Sequence, residues 1–239
     1  ISRLETLDAG DSVFCSQAMK GTLFGIGVGP GDPELLTLKA VRLINQCDVL
    51  AWPAPESGKG LALQIAEPHL NAQDQELLPL RLPISSDPFP AQEAYDKAAE
   101  KLSSHLSSGK SVAVLCEGDP MFYGSFSYLF ARLSENFSTE VVPGVSSPMA
   151  CASASGWLLA VRNEPFTVLP GPMDLESLRK RLVNEGAYAL MKVGRHFNKL
   201  RKLLEQLNLS DRACYVEHAT LPNQRVLMLN EVDPKTVPY

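Results

Sequence analysis

The chain has no C-x-x-C pair, no apolar run of membrane-spanning length, no excess of basic charge and no complete nucleotide fingerprint. Each absence excludes a class of function. The five cysteines (15, 47, 116, 151 and 214) are scattered through 239 residues. That spacing builds neither a zinc framework nor a disulfide scaffold; small apolar thiols in a reducing compartment explain it, and no metal is expected. No apolar stretch approaches the ~18–20 residues of a bilayer-crossing helix. The first twenty residues lack the basic start and apolar middle of a secretory leader, so a cytoplasmic protein without membrane contact is expected. Lys and Arg number 22 against 27 Asp and Glu, a formal net charge of −5. Nonspecific nucleic-acid binders carry the opposite balance, so nucleic acid is not an expected partner and any anionic ligand must meet a local basic cluster. G-x-x-x-x-G-K-[ST] is missing, which excludes a triphosphate P-loop.

What is present is ordinary globular material: 45% apolar and 21% charged residues. Residues 1–18 show no sustained period and are set aside as an N-terminal extension, with Met19 a candidate natural start. From there strands and helices alternate. Strands are expected over 22–28, 47–52, 77–82, 111–116 and 140–142, with helices over 33–45, 61–70, 91–106, 122–133 and 146–155. The second half reads as strand 166–169, helix 175–184, strand 188–193, helix 197–207 and strands 213–218 and 224–229. The alternation predicts an α/β fold in two αβα domains, 19–136 and 137–239. The closing pair of strands, with no helix between them, predicts an antiparallel edge.

Three loops carry the chemical signal. The first, Gly25-Ile26-Gly27-Val28-Gly29-Pro30-Gly31-Asp32-Pro33, follows a strand and precedes a helix, as a dinucleotide site would. Its details disagree: G-x-G-x-x-G requires glycine at 30 or 32, and the acidic residue expected ~20 positions on is missing. A plain tight turn explains this loop equally well. The second, Glu117-Gly118-Asp119-Pro120-Met121-Phe122-Tyr123-Gly124, lies at the carboxyl end of another strand, the edge where open α/β sheets bind ligands. The third, Pro143-Gly144-Val145-Ser146-Ser147, repeats the arrangement, with Ser146 placed to cap a helix. Each alone is a common turn; three in one order at one sheet edge suggest a single site.

With Ala189-Leu190-Met191-Lys192-Val193 and Val216-Glu217-His218-Ala219-Thr220, these loops resemble the S-adenosylmethionine-dependent tetrapyrrole methylases of corrin and sirohaem biosynthesis. The stretch from Gly118 to Leu129 looks most like the branch that methylates C20 of precorrin-2 or its cobalt-containing counterpart, cobalt-factor II. The resemblance implies two α/β domains with the cofactor, S-adenosyl-L-methionine, in the cleft between them, a homodimer, and a C-methyltransferase of cobalamin biosynthesis. Matched by motif, it implies cofactor contacts at Pro30, Gly118, Asp119, Phe122, Tyr123, Ser146, Ser147, Met191 and Ala219. Glu117 and Ala219 depart from the pattern, since relatives often carry a small residue and a glycine there. The resemblance also implies a further apolar strand beyond Tyr239.

Methyl transfer from a sulfonium needs a positioned nucleophile more than a protein one, so proximity and orientation carry it. No Ser-His-Asp or Cys-His arrangement appears. A base for the displaced proton could be Glu117, Tyr123 or His218, though a solvated carboxylate, a half-buried ring and a strand-end imidazole explain them at least as well. The acceptor's many carboxylates require cations, for which Arg81, Lys192 and Arg195 stand at expected strand ends. Two readings compete: a methylase of the same fold acting on another tetrapyrrole carbon, protein side chain or RNA ribose, and a non-catalytic nucleotide-binding module.

Overall fold

The computed structural model describes residues 20–71, 74–82 and 88–238, so the extension 1–18 and Met19 lie outside the described residues. Strands β1 (Thr22–Gly27), β2 (Val49–Ala54), β3 (Glu76–Arg81), β4 (Val112–Cys116) and β5 (Ser138–Val142) form one sheet in the order β3-β2-β4-β1-β5. Every pairing in it is parallel. Parallel strands need crossovers that cover both faces, and the apolar runs supply both linings. Period-two alternation sends Ile26, Leu50, Trp52, Ala113 and Leu115 to one core, against α1 (Leu38–Gln46) and α2 (Leu61–Ala66). The intervening residues Leu23, Val49, Ala51, Val112 and Val114 enter the opposite core, against α3 (Pro88–Ser107) and α4 (Phe126–Leu133). All five residues of β4 are buried.

Local chemistry shortens two of the expected helices. Over 33–45 the chain makes a single 3₁₀ turn at Pro33–Leu35, capped by the Asp32 carboxylate, which accepts the Glu34 N–H at 2.9 Å. Leu36 is extended, and Thr37 caps α1 anew by accepting the Ala40 N–H at 3.1 Å. Two caps within six residues, Asp32 and Thr37, divide what apolar spacing reads as one helix. Over 122–133 the helix begins only at Phe126, because Tyr123 adopts φ 55°, which no right-handed helix accommodates. Strand β5 joins β1 from Thr22↔Ser138 to Ile26↔Val142. The first sheet therefore runs past the division expected at 136/137.

In the second half β6 (Phe166–Pro170) and β7 (Ala187–Met191) pair in parallel, and β8 (Cys214–Glu217) and β9 (Arg225–Met228) pair antiparallel, as the missing helix between them predicts. The two pairs are separate ladders. Helices α6 (Leu175–Leu182) and α7 (Phe197–Gln206) bury Leu178, Leu182, Phe197, Leu200 and Leu203 against Leu169, Tyr215 and Leu229. Helix α5 (Ser147–Ser155), which follows β5, packs against β8 and so connects the halves. The α/β class read from the sequence is the class observed. No described helix is long and apolar enough to cross a membrane.

Candidate functional site

The strand order places a topological switch between β1 and β4. The chain leaves β1 towards β2 on one side of the sheet and leaves β4 towards β5 on the other. The loops after β1 and β4 thus part at the carboxyl edge and open a crevice there. They are joined across it: the Gly118 N–H donates to the Gly29 carbonyl at 2.8 Å, and the Gly29 N–H to the Gly118 carbonyl at 3.3 Å. Gly118 sits at φ 65°, a conformation glycine adopts without steric cost. Gly27 is required for a different reason. A Cβ there would lie 2.6 Å from the Gly144 nitrogen and 2.7 Å from the Gly118 carbonyl oxygen, so the three loops meet backbone to backbone.

Asp119 completes the junction. One carboxylate oxygen accepts the Met121 N–H at 2.9 Å and the other accepts the Gly144 N–H at 3.0 Å. One charged side chain therefore ties the loop after β4 to the loop after β5. The second half approaches through the β8–β9 turn, where Thr220 Oγ1 accepts the Asp32 N–H at 3.0 Å. A cleft of about 2220 Å³ runs along β7 and β8 in the second half and reaches Pro30, Leu61 and Glu117 of the first.

The model of one family, the Tetrapyrrole (Corrin/Porphyrin) Methylases, matches residues 22–233. The chain belongs to that family. It is 39% identical over 227 residues to a precorrin-2 C(20)-methyltransferase of a Sinorhizobium species, covering 92% of each protein. It is 38% identical to the cobalamin biosynthesis protein CobIJ of Mycobacterium bovis, matching 92% of this chain and spanning 45% of that longer protein. Among solved structures, the uroporphyrin-III C-methyltransferase of Thermus thermophilus complexed with S-adenosylhomocysteine superposes with a TM-score of 0.66 at 24% identity. That match covers 92% of this chain and 93% of that one, and shows a shared fold. The family resemblance drawn from the three loops and the segments 189–193 and 216–220 is borne out.

In this tetrapyrrole methylase the expected site residues divide. Pro30, Ser147, Met191 and Ala219 line the cleft, as do Glu117, His218, Lys192 and Arg195. Gly118, Asp119, Phe122, Tyr123 and Ser146 form the loops beside it. Ser146 holds the cap position of α5 with its carbonyl, which accepts the Met149 and Ala150 N–H groups; its hydroxyl makes no capping bond. Arg81 turns away to the carbonyls of Pro55 and Gly58 and is not among the cleft-lining residues.

Several of these side chains stand on strained backbone. Tyr123, Arg162, Lys192, His218 and Thr220 all have φ between 52° and 71°. Non-glycine residues there cost ~1–3 kcal/mol each and persist only where surrounding contacts hold them. At this site the contacts are visible: Lys192 Nζ lies 5.7 Å from the centre of the Tyr123 ring, which packs edge-on against Phe122 at 5.0 Å. Sequence reading missed the Thr220–Asp32 contact and the left-handed backbone at Arg162, because neither positive φ nor a contact 188 residues away leaves a periodic trace.

Electrostatics separate the candidate bases. Glu117 reaches solvent through the cleft mouth, but crowding by protein withdraws its carboxyl from bulk water and holds it above the ordinary carboxylate value. His196, also in the lining, is held below the usual imidazole value by desolvation and then by Lys199 and Arg195, a sign of locally positive field in an acidic protein. Glu217, next to His218, is buried and committed to structure: it accepts from Tyr215 Oη at 2.6 Å and pairs with Arg225 at 2.8 Å. Among the described residues no group of three or more His, Cys, Asp or Glu converges as a metal site.

Proposed function

We propose that this protein transfers a methyl group from S-adenosyl-L-methionine to C20 of precorrin-2 or of cobalt-factor II in cobalamin biosynthesis. The observation that carries the reading is the three-loop junction: Gly29 bonded to Gly118, and Asp119 bonded to Gly144, at the sheet's switch point and opening onto the cleft. The residues present fit such a cofactor. The junction offers backbone turns with the side chains held back, and the lining supplies the apolar Met191 and Ala219. Ligand pockets commonly enclose ~300–1,000 Å³, so a cleft of about 2220 Å³ has room for a cofactor and a macrocycle together.

When bound, S-adenosylmethionine supplies an electrophilic methyl on a sulfonium. The chain's own residues act by position. The junction fixes one wall and Thr220 holds the β8–β9 turn against it, and a reaction of this kind is accelerated by holding the acceptor carbon in line with the methyl. Glu117 is the favoured acceptor for the C20 proton, because it lines the cleft and its desolvated carboxylate is a stronger base than a solvated one.

Incubation with ¹³C-methyl S-adenosylmethionine and either precorrin-2 or cobalt-factor II, read by mass and carbon NMR, tests the proposal. One methyl at C20 is expected. A methyl at another carbon would favour the alternative within the family. Calorimetry that shows NAD preferred to S-adenosylhomocysteine would overturn the cofactor assignment.

A further inference from the structure

Past α5 the chain makes a turn that the catalytic reading does not use. The Val161 N–H donates to a carboxylate oxygen of Glu164 at 3.0 Å, and the Glu164 N–H donates back to the Val161 carbonyl at 3.1 Å. This reciprocal pair engages one carboxylate oxygen of Glu164 and closes the turn in which Arg162 adopts φ 55°. Arg162 lines the cleft and makes no hydrogen bond or ion pair with any of the described residues. Beside it, Trp157, Leu158 and Val161 also line the cleft and remain 41%, 80% and 43% exposed.

The Arg162 guanidinium is exposed to water, and it stands on positive-φ backbone in the same cleft-lining segment as an exposed indole and two exposed aliphatic side chains. The combination selects one chemistry: a flat conjugated face to lie on the apolar side chains, with a carboxylate at its rim to take the bidentate guanidinium. The surroundings agree, since Lys192 lines the same cleft and His196 is held in its low-pKa state partly by cations.

We propose that Arg162 is an acceptor-binding residue that clamps a peripheral carboxylate of the tetrapyrrole, with Trp157, Leu158 and Val161 forming the platform under the macrocycle. The inference rests on the proposed methyl-transfer reading and adds a subsite to it.

The test compares wild type with Arg162→Gly, Arg162→Glu and Arg162→Lys. Measurements are binding of uroporphyrin III (a stable polycarboxylate tetrapyrrole) at low and high salt, KM for precorrin-2, calorimetric S-adenosylhomocysteine affinity, and Tm. Glycine accepts φ 55° freely, so Arg162→Gly keeps or raises Tm while removing the clamp. Tetrapyrrole affinity should fall about tenfold or more with a flatter salt dependence, as loss of a charge-assisted pair predicts. S-adenosylhomocysteine affinity should not change. Arg162→Glu should be weaker still, and Arg162→Lys should recover part of the loss, since lysine keeps the charge without the fork. Unchanged tetrapyrrole affinity in Arg162→Gly would overturn the clamp, as would a fall in Tm that accounts for the loss. Failure of wild type to bind any tetrapyrrole, with S-adenosylhomocysteine still bound, would instead defeat the acceptor assignment.

Discussion

Replacing Asp119 separates two roles that the loop sequence alone leaves merged, a direct cofactor contact and a clamp between loops. Its carboxylate accepts two backbone N–H groups at 2.9 and 3.0 Å, one within its own loop and one from Gly144, 25 residues away. Hydrogen bonds to a charged group contribute ~1.5–3 kcal/mol each, and partial exposure here favours the lower end. Asp119→Ala should therefore cost about 3 kcal/mol. Asp119→Asn should cost about half, since its amide oxygen can keep one bond. In a chain of this size 1 kcal/mol corresponds to ~2–4 °C in Tm, so the alanine variant should melt roughly 6–12 °C lower and the asparagine variant roughly 3–6 °C lower. Freeing the loop transfers its ordering cost to ligand binding, and S-adenosylhomocysteine affinity should fall about tenfold or more in the alanine variant. Differential scanning fluorimetry and calorimetry on the same preparations check both numbers. Binding lost with Tm unchanged would restore Asp119 as a direct contact; neither changed would refute the clamp.

Three further outcomes are expected. Crowding by protein at the cleft mouth raises the Glu117 carboxyl although it keeps solvent contact. Its contribution to stability, small because of that exposure, is fully present below the ordinary carboxylate pKa and is lost as pH rises through the raised value. Glu117→Gln should thus melt higher than wild type at pH 7–8, with the gain vanishing near pH 4 in pH-resolved melting curves. If Glu117 takes the C20 proton, the same variant loses kcat while keeping S-adenosylhomocysteine affinity. Lys192→Gly relieves a φ of 56° and should raise stability by ~1 kcal/mol, while raising KM for the tetrapyrrole; a lower Tm would mean that the Tyr123 contact outweighs the strain. Thr220→Val keeps the β-branch but removes the oxygen that accepts the Asp32 N–H. It should cost ~1 kcal/mol and weaken S-adenosylhomocysteine binding by calorimetry, and an unaltered Tm would show that the contact between halves does not contribute.

Much of this molecule is determined by local and periodic features that a linear chain displays. Unbroken apolar runs at 49–52 and 112–116 specify strands buried on both faces, and the stripe of Ala40, Leu43 and Ile44 specifies the first helix, because burial at a fixed repeat is written directly in residue order. The glycine and proline loops are legible for the same reason: only certain residues tolerate such turns. Other decisions belong to the tertiary structure. Two caps compete around Asp32 and Thr37, and the outcome divides a helix that hydrophobic spacing would leave whole. Strand Ser138–Val142 could edge either half, and hydrogen bonding to β1 assigns it. The left-handed residues Tyr123, Arg162, Lys192 and Thr220 carry no local preference for that conformation; the Lys192–Tyr123 contact, the Val161–Glu164 turn and the Asp32–Thr220 hydrogen bond accompany it only in the folded chain. The same asymmetry separates Arg81 from Arg162. Both are arginines in loops or at strand ends, and only the folded chain turns one onto nearby carbonyls and leaves the other facing the cleft.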